Sequence, residues 1–229
     1  MNLQSTKMRV KSILISIFFI VSLTSCLEII EQVKVNKNGS GTLKLIINIS
    51  QSKDRLNKIL SQKQINGLII PTKDTIKYHF NAVEKTIRET EGLTLQTLEK
   101  DFDNYIFTLV VNFENLNQVN GLLQNIHNTF ARTASTETPF KLTLNANSFH
   151  QEINKNYISK LNNEISNYNF NELNNAKITS IIQFEKTIKS ISVSKGRISK
   201  SGKSALIKLS LTEFLTTYSN QNLNIQLDE

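Results

Sequence analysis

The only cysteine in the chain, Cys26, stands three residues past the end of an uncharged run, Ile13 to Leu23. Ahead of that run come Lys7, Arg9 and Lys11. A basic stretch, a short apolar stretch and small residues before a cleavage point are the three parts of a secretory signal. The run covers eleven residues, whereas a helix that crosses a bilayer needs roughly 20. Export therefore outranks a transmembrane anchor. An exported chain meets an oxidising compartment, yet no second cysteine is present to pair with the first. Whatever folds beyond residue 25 must rely on its apolar core.

The segment Leu23-Thr24-Ser25-Cys26 resembles the bacterial lipobox, which is Leu, two small or polar residues and the acceptor cysteine. The resemblance implies that residues 1–25 are a lipoprotein signal peptide. It also implies that the Cys26 thiol receives a diacylglyceryl group before cleavage frees its amine, which is often acylated too. A single acyl chain gives only marginal binding at about 0.8 kcal/mol per buried methylene, so stable attachment needs more than one. The implied partner is a membrane, held through the N-terminal lipid. An ordinary cleaved signal with an incidental cysteine is the alternative, and the placement of Cys26 disfavours it. Leu27 is not the Asp that retains some lipoproteins at inner membranes, which leans towards the outer membrane of a Gram-negative envelope.

The mature chain would run from Cys26 to Glu229, 204 residues, enough for one sizeable domain or two small ones. Losing the three signal cations lowers the formal charge from +8 to +5, and the chain has no Trp. So mild an excess, in an exported chain, argues against nucleic acid as a partner. The abundant Asn, Lys and Ile read as coding bias.

Ile30, Val33 and Val35 favour a strand from Glu28 to Val35. Asn38-Gly39 predicts a type I′ turn, because both residues tolerate positive φ. Leu43, Leu45, Ile47 and Ile49 alternate along the return strand. Residues 51–71 read as a loop with a helical piece near Leu56 to Leu60. Ile76, Phe80, Val83 and Ile87 line one face of a helix that starts at Thr72 and ends before Gly92. Strands follow at 93–99 and 105–113, then a second amphipathic helix at 115–130 with Leu116, Val119, Leu123 and Ile126 on one face. A loop at 133–138, closed by Pro139, precedes a strand from Phe140 to Ala146. The spacing of Phe149, Ile153, Tyr157, Leu161 and Ile165 predicts a helix across 149–170. Strands at 179–184, 188–193 and 205–209 come next, with a turn at Lys200 to Lys203. Ser210 to Glu213 has capping-box spacing for a helix through Phe214 and Tyr218, and a strand closes the chain at 223–227. The order implies an α+β fold: a largely antiparallel sheet of hairpins with two amphipathic helices packed on it, as a single domain over 26–229.

Glu31 to Thr42, directly after a lipobox, resembles the opening of LppM-like bacterial lipoproteins and of related lipoproteins from Bacteroidota-type bacteria. Those families begin with a strand, an Asn-Gly-Ser-Gly type of turn and a second strand. Gln183 to Gly196 followed by Ser199 to Ser204 is similar to their closing strands, departing at Glu185 where the family more often has Pro. The resemblance implies a non-enzymatic envelope module and carries no catalytic residues.

Searches for chemistry point the same way. His79, His127 and His150 lie in three separate segments without ligand spacing, and packing explains them. Ser40 sits between Gly39 and Gly41 in a turn, not at a nucleophile elbow. Asp101 and Asp103 belong to a turn without a calcium-loop pattern. No catalytic set, metal or cofactor is expected. Lys186, Lys189, Lys195, Arg197, Lys200, Lys203 and Lys208 place seven cations in 23 residues with no acid among them. Alternating with Ile188, Ile191, Val193 and Ile198, they suggest a basic hairpin face for anionic lipid headgroups or acidic glycans, or simply a solvated sheet edge. The expected function is binding of a lipid, glycolipid or envelope protein partner, in an apolar groove rimmed by that hairpin. An assembly or adhesin-like subunit is the alternative, and an envelope hydrolase trails both.

Overall fold

A computed structural model of the chain describes residues 27–65, 68–130, 138, 140–167, 176–216 and 221–228. The signal segment with Cys26, the loop at 133–137 with Pro139, the side chain of His127, and Tyr218 lie outside the described residues.

Two sheets carry the fold. The strands are β1 (Glu28–Val35), β2 (Gly41–Asn48), β3 (Gln64–Ile65), β4 (Leu68–Ile69), β5 (Leu93–Asp101), β6 (Ile106–Phe113), β7 (Phe140–Asn145), β8 (Ser148–Ile153), β9 (Lys177–Phe184), β10 (Ile188–Ile191), β11 (Gly196–Ile198), β12 (Ser204–Ser210) and β13 (Leu223–Leu227). The helices are α1 (Lys53–Leu60), α2 (Lys73–Glu89), α3 (Leu116–Phe130), α4 (Lys155–Asn167) and α5 (Leu211–Thr216). The larger sheet runs β11-β12-β9-β1-β2-β6-β5 and the smaller β10-β13-β8-β7, with β3 and β4 a separate minimal hairpin. All pairings are antiparallel except β1 with β9, at the centre of the larger sheet. The α+β class read from the sequence is the one observed, but its helices serve two sheets, not one.

The opening hairpin differs from expectation at its turn. Gly39 N donates to Asn36 O at 3.0 Å, Asn36 N donates to Ser40 O at 2.8 Å, and Gly39 has φ 84° while Asn38 is not left-handed. This is a type I turn followed by one left-handed glycine, the three-residue hairpin loop, not a type I′ turn. Gly41 is needed for space: a Cβ there would stand 1.9 Å from the Lys34 carbonyl oxygen.

One face of each sheet turns to the other. Val33, Leu43, Val111, Ile182 and Ala205 of the larger sheet and Leu142, Phe149, Ile153, Leu223 and Ile225 of the smaller belong to one buried cluster. Phe149 and Phe184 meet edge to face across it, centroids 5.6 Å apart. Truncating a wholly buried phenylalanine of this kind costs about 3–5 kcal/mol.

The helix expected over 149–170 is only partly present. Ser148 to Ile153 is strand β8, paired with β7 through Leu142↔Gln151 and Leu144↔Phe149, and helix begins at Lys155. A spacing of four is also a multiple of two, so Phe149 and Ile153 satisfy a strand's inward face as well as a helix's. The region 51–71 holds more structure than expected, with α1 and the β3–β4 pair.

Candidate functional site

The interior of the domain is not filled at one end. A cavity of about 190 Å³ lies between the two sheets, lined mainly by Ile29, Leu43, Leu45, Leu109, Ile178 and Ile207, with Leu123 and Ile126 from α3, Phe140 from β7 and Phe214 from α5 closing it. Strand register places its floor and mouth. The layer Val33, Leu43, Val111, Ile182 and Ala205 is closed, each residue being buried. One layer up stand Glu31, Ser180, Leu45, Leu109 and Ile207. The next layer, with part-buried Ile29 and Ile178 and buried Leu209, is the last before these strands end. The mouth therefore lies at the end of the larger sheet where β1 begins.

Three polar side chains break this apolar lining. Glu31 and Ser180 are direct partners in the parallel β1–β9 pair, and Ser180 Oγ donates to Glu31 Oε2 at 3.4 Å. The Glu31 side chain is part-buried and lines the cavity. Loss of hydration disfavours its charged form, so burial pushes its pKa up to about 7 against a weaker downward pull from Ser180. Gln151 comes from the opposite sheet, 7% exposed and inward-facing between Phe149 and Ile153. Its amide has no hydrogen-bond partner among the described residues. A further void of about 10 Å³ touches the same three residues, about the space one water needs.

α3 forms the roof and is held in register by Asn120. Its Nδ2 donates to the Leu142 carbonyl and its Oδ1 accepts from the Leu142 amide, both at 2.8 Å. The α5 wall is fixed by the capping box expected from sequence: Glu213 N donates to Ser210 Oγ at 3.2 Å and Ser210 N to Glu213 Oε2 at 2.9 Å.

A larger cleft, about 500 Å³, lies at the other end of the sheets beside the β1–β2 turn. Two of its charged side chains are engaged within the protein: Glu185 Oε2 accepts from Lys37 N at 2.7 Å, and Lys186 Nζ donates to Ala146 O and Asn147 Oδ1. A wide cleft of mixed polar lining makes a weaker claim on an apolar ligand than a narrower, mainly apolar cavity with an unpartnered amide.

The seven basic residues singled out by sequence do not lie on one hairpin. Lys189 lies in β10 of the smaller sheet, whereas Arg197 and Lys208 lie in β11 and β12 of the larger, with Lys200 and Lys203 in the turn between them. The expected hairpin is thus split, because β10 pairs with β13. Lys186 is committed as described, and Lys195 is paired with Glu213. None of the seven lines the 190 Å³ cavity, so the groove is not rimmed by them.

His150 Nε2 contacts Ser148 Oγ at 2.9 Å, and its Nδ1 contacts Asn224. His79 packs edge-on to Tyr78. Asp101 accepts from the backbone of Asp103 and Asn104 and from the Asn104 side chain, and those bonds, the Asn104 side chain first, hold its pKa down. No group of three or more potential metal ligands occurs among the described residues. No helix among them is long and apolar enough to cross a membrane.

Sequence reasoning missed Glu31 and Gln151. The signal was legible for Gln151, a polar residue at an inward position of the Phe149-x-Gln151-x-Ile153 alternation, once that segment is taken as a strand. Glu31 is likewise the one acid in the inward series Ile29, Glu31, Val33, Val35.

No family model matches the sequence, and no curated protein matches it. Among solved structures the chain is similar to the folded domain of LppM from Mycobacterium tuberculosis, determined by NMR. The two are 10% identical, and the match covers 89% of this chain and 90% of that one with a TM-score of 0.45. No residue role passes from that domain to this chain.

Proposed function

We propose that this chain is a lipid-anchored protein of the cell envelope whose domain over 26–229 binds the hydrocarbon chain of a lipid or glycolipid without acting on it. The observation that carries this reading is the mainly apolar cavity between the sheets, whose polar side chains are Glu31, Ser180 and Gln151. Burying apolar ligand surface there is favourable at about 25 cal/mol per Å². The lipobox supports the anchor: Cys26 lies three residues before Ile29, which lines the mouth. Tethering at Cys26 would hold the mouth towards the bilayer from which a ligand could be drawn. Lys189, Arg197, Lys200, Lys203 and Lys208, all exposed, would meet anionic headgroups, acidic glycans or an envelope protein partner instead of the pocket's contents.

The test is titration with a fluorescent acyl probe whose emission rises in apolar surroundings. Saturable emission, displaced by unlabelled single-chain lipids, supports the reading. Emission no greater than that of a pocket-filled Leu123→Phe variant would overturn it.

A further inference from the structure

Resting on the pocket reading above, we infer that the floor formed by Glu31, Ser180 and Gln151 selects the head of the ligand, taking a single-chain amphiphile with an uncharged hydroxyl end, head first.

Size comes first. About 190 Å³ is below the usual range of roughly 300–1,000 Å³ for small-molecule pockets, so it suits one chain and not a two-chain lipid. Direction follows from register: the polar trio lies against the closed layer of Val33 and Ile182, and the apolar Ile29 and Ile178 lie towards the mouth. A tail-first ligand would press its methyl end against Gln151, a residue 7% exposed, and leave its amide unpaired.

Charge decides the head. No Lys, Arg or His lines the cavity, so a phosphate, sulfate or ionised carboxylate would enter without a partner, beside another carboxyl group. A hydroxyl asks for what the floor offers. It donates to the Gln151 Oε1 or a Glu31 oxygen and accepts from the Gln151 Nε2, satisfying an amide that nothing else in the described residues satisfies.

The experiment uses the full chain in detergent-free envelope vesicles, photolabelled with four fatty probes alike in length but ending in hydroxyl, amine, carboxylate or sulfate. Each carries a diazirine either beside the head or at the tail, and adducts are mapped by peptide mass spectrometry. The head-side diazirine of the alcohol should mark Leu45, Leu109 or Ile207, and the tail-side one Ile29, Phe140 or Phe214. Labelling by the alcohol should exceed that by the sulfate by about ten-fold, the effect of about 1.4 kcal/mol. Gln151→Leu should erase that preference while the folded chain persists, because leucine fills the site without an orphan amide. Equal labelling by all heads, or stronger labelling by the amine, would overturn head selection and leave the pocket reading standing. No adduct on any lining peptide, from any probe, would sink both.

Discussion

Asn120 and Leu142 are joined like adjacent strands: the side-chain amide of one reaches both backbone groups of the other at 2.8 Å. Asn120 belongs to α3 and Leu142 to the edge strand β7, so one asparagine fastens the roof of the cavity to its side wall. It also satisfies edge groups that would otherwise be open to another strand. Asn120→Ala removes two hydrogen bonds worth about 0.5–1.5 kcal/mol each. Urea unfolding should show a loss of about 1–3 kcal/mol, and hydrogen exchange should quicken at the Leu142 amide.

Glu31 should make stability depend on pH in an unusual direction. Its pKa is raised from 4.5 to about 7 by burial, so between those values the folded state binds more protons than the unfolded. Stability from this group is fully present below pH about 4.5 and is lost as pH rises through about 7. The loss amounts to up to about 3 kcal/mol at pH 8. Glu31→Gln should flatten that slope and leave the variant the more stable one at pH 8, checked by thermal melts across pH 5–9.

Filling the cavity should exclude ligand without harming the fold. Leu123→Phe adds volume where about 190 Å³ stands open, so the usual overpacking cost of about 1–3 kcal/mol should not appear. Calorimetry should find stability equal or higher, with acyl-probe binding abolished.

The capping box sets the α5 wall. Ser210→Ala should cost about 1 kcal/mol and free the Glu213 backbone amide. A stability loss of that size with weaker acyl-probe binding, read in one titration series, would tie the cap to the wall that Phe214 forms.

Lipidation rests on Cys26. Cells fed a labelled fatty acid should incorporate label into the wild-type chain and not into Cys26→Ser. Label on the serine variant would refute the lipobox reading.

Much of the fold was legible because period and punctuation agreed. Thr72 begins α2 as its cap, accepting from Thr75 N at 3.1 Å, and Leu43 to Ile47 alternate along β2 as their spacing predicts. The misreadings share one physical cause, that pairing partners far apart in sequence are not encoded locally. β8 passed for a helix because a four-residue spacing fits either period, and Gln151↔Leu142 pairing decided it. β10 and β12 looked like one hairpin because their charges run on, yet β10 finds its partner in β13. The site was hidden for the same reason. Glu31 and Gln151 lie 120 positions apart, and only the facing of two sheets brings them to one floor. The Asn-rich stretches, by contrast, gave no hint that Asn120 would close a strand edge.

The most direct test of the central claim is native mass spectrometry of the protein released gently from its own envelope, wild type beside Leu123→Phe. The wild type should carry a reproducible added mass, extractable as a single-chain amphiphile and missing from the filled variant. A wild-type chain that carries nothing beyond its covalent lipid, or a bound mass that survives filling of the cavity, would contradict that claim.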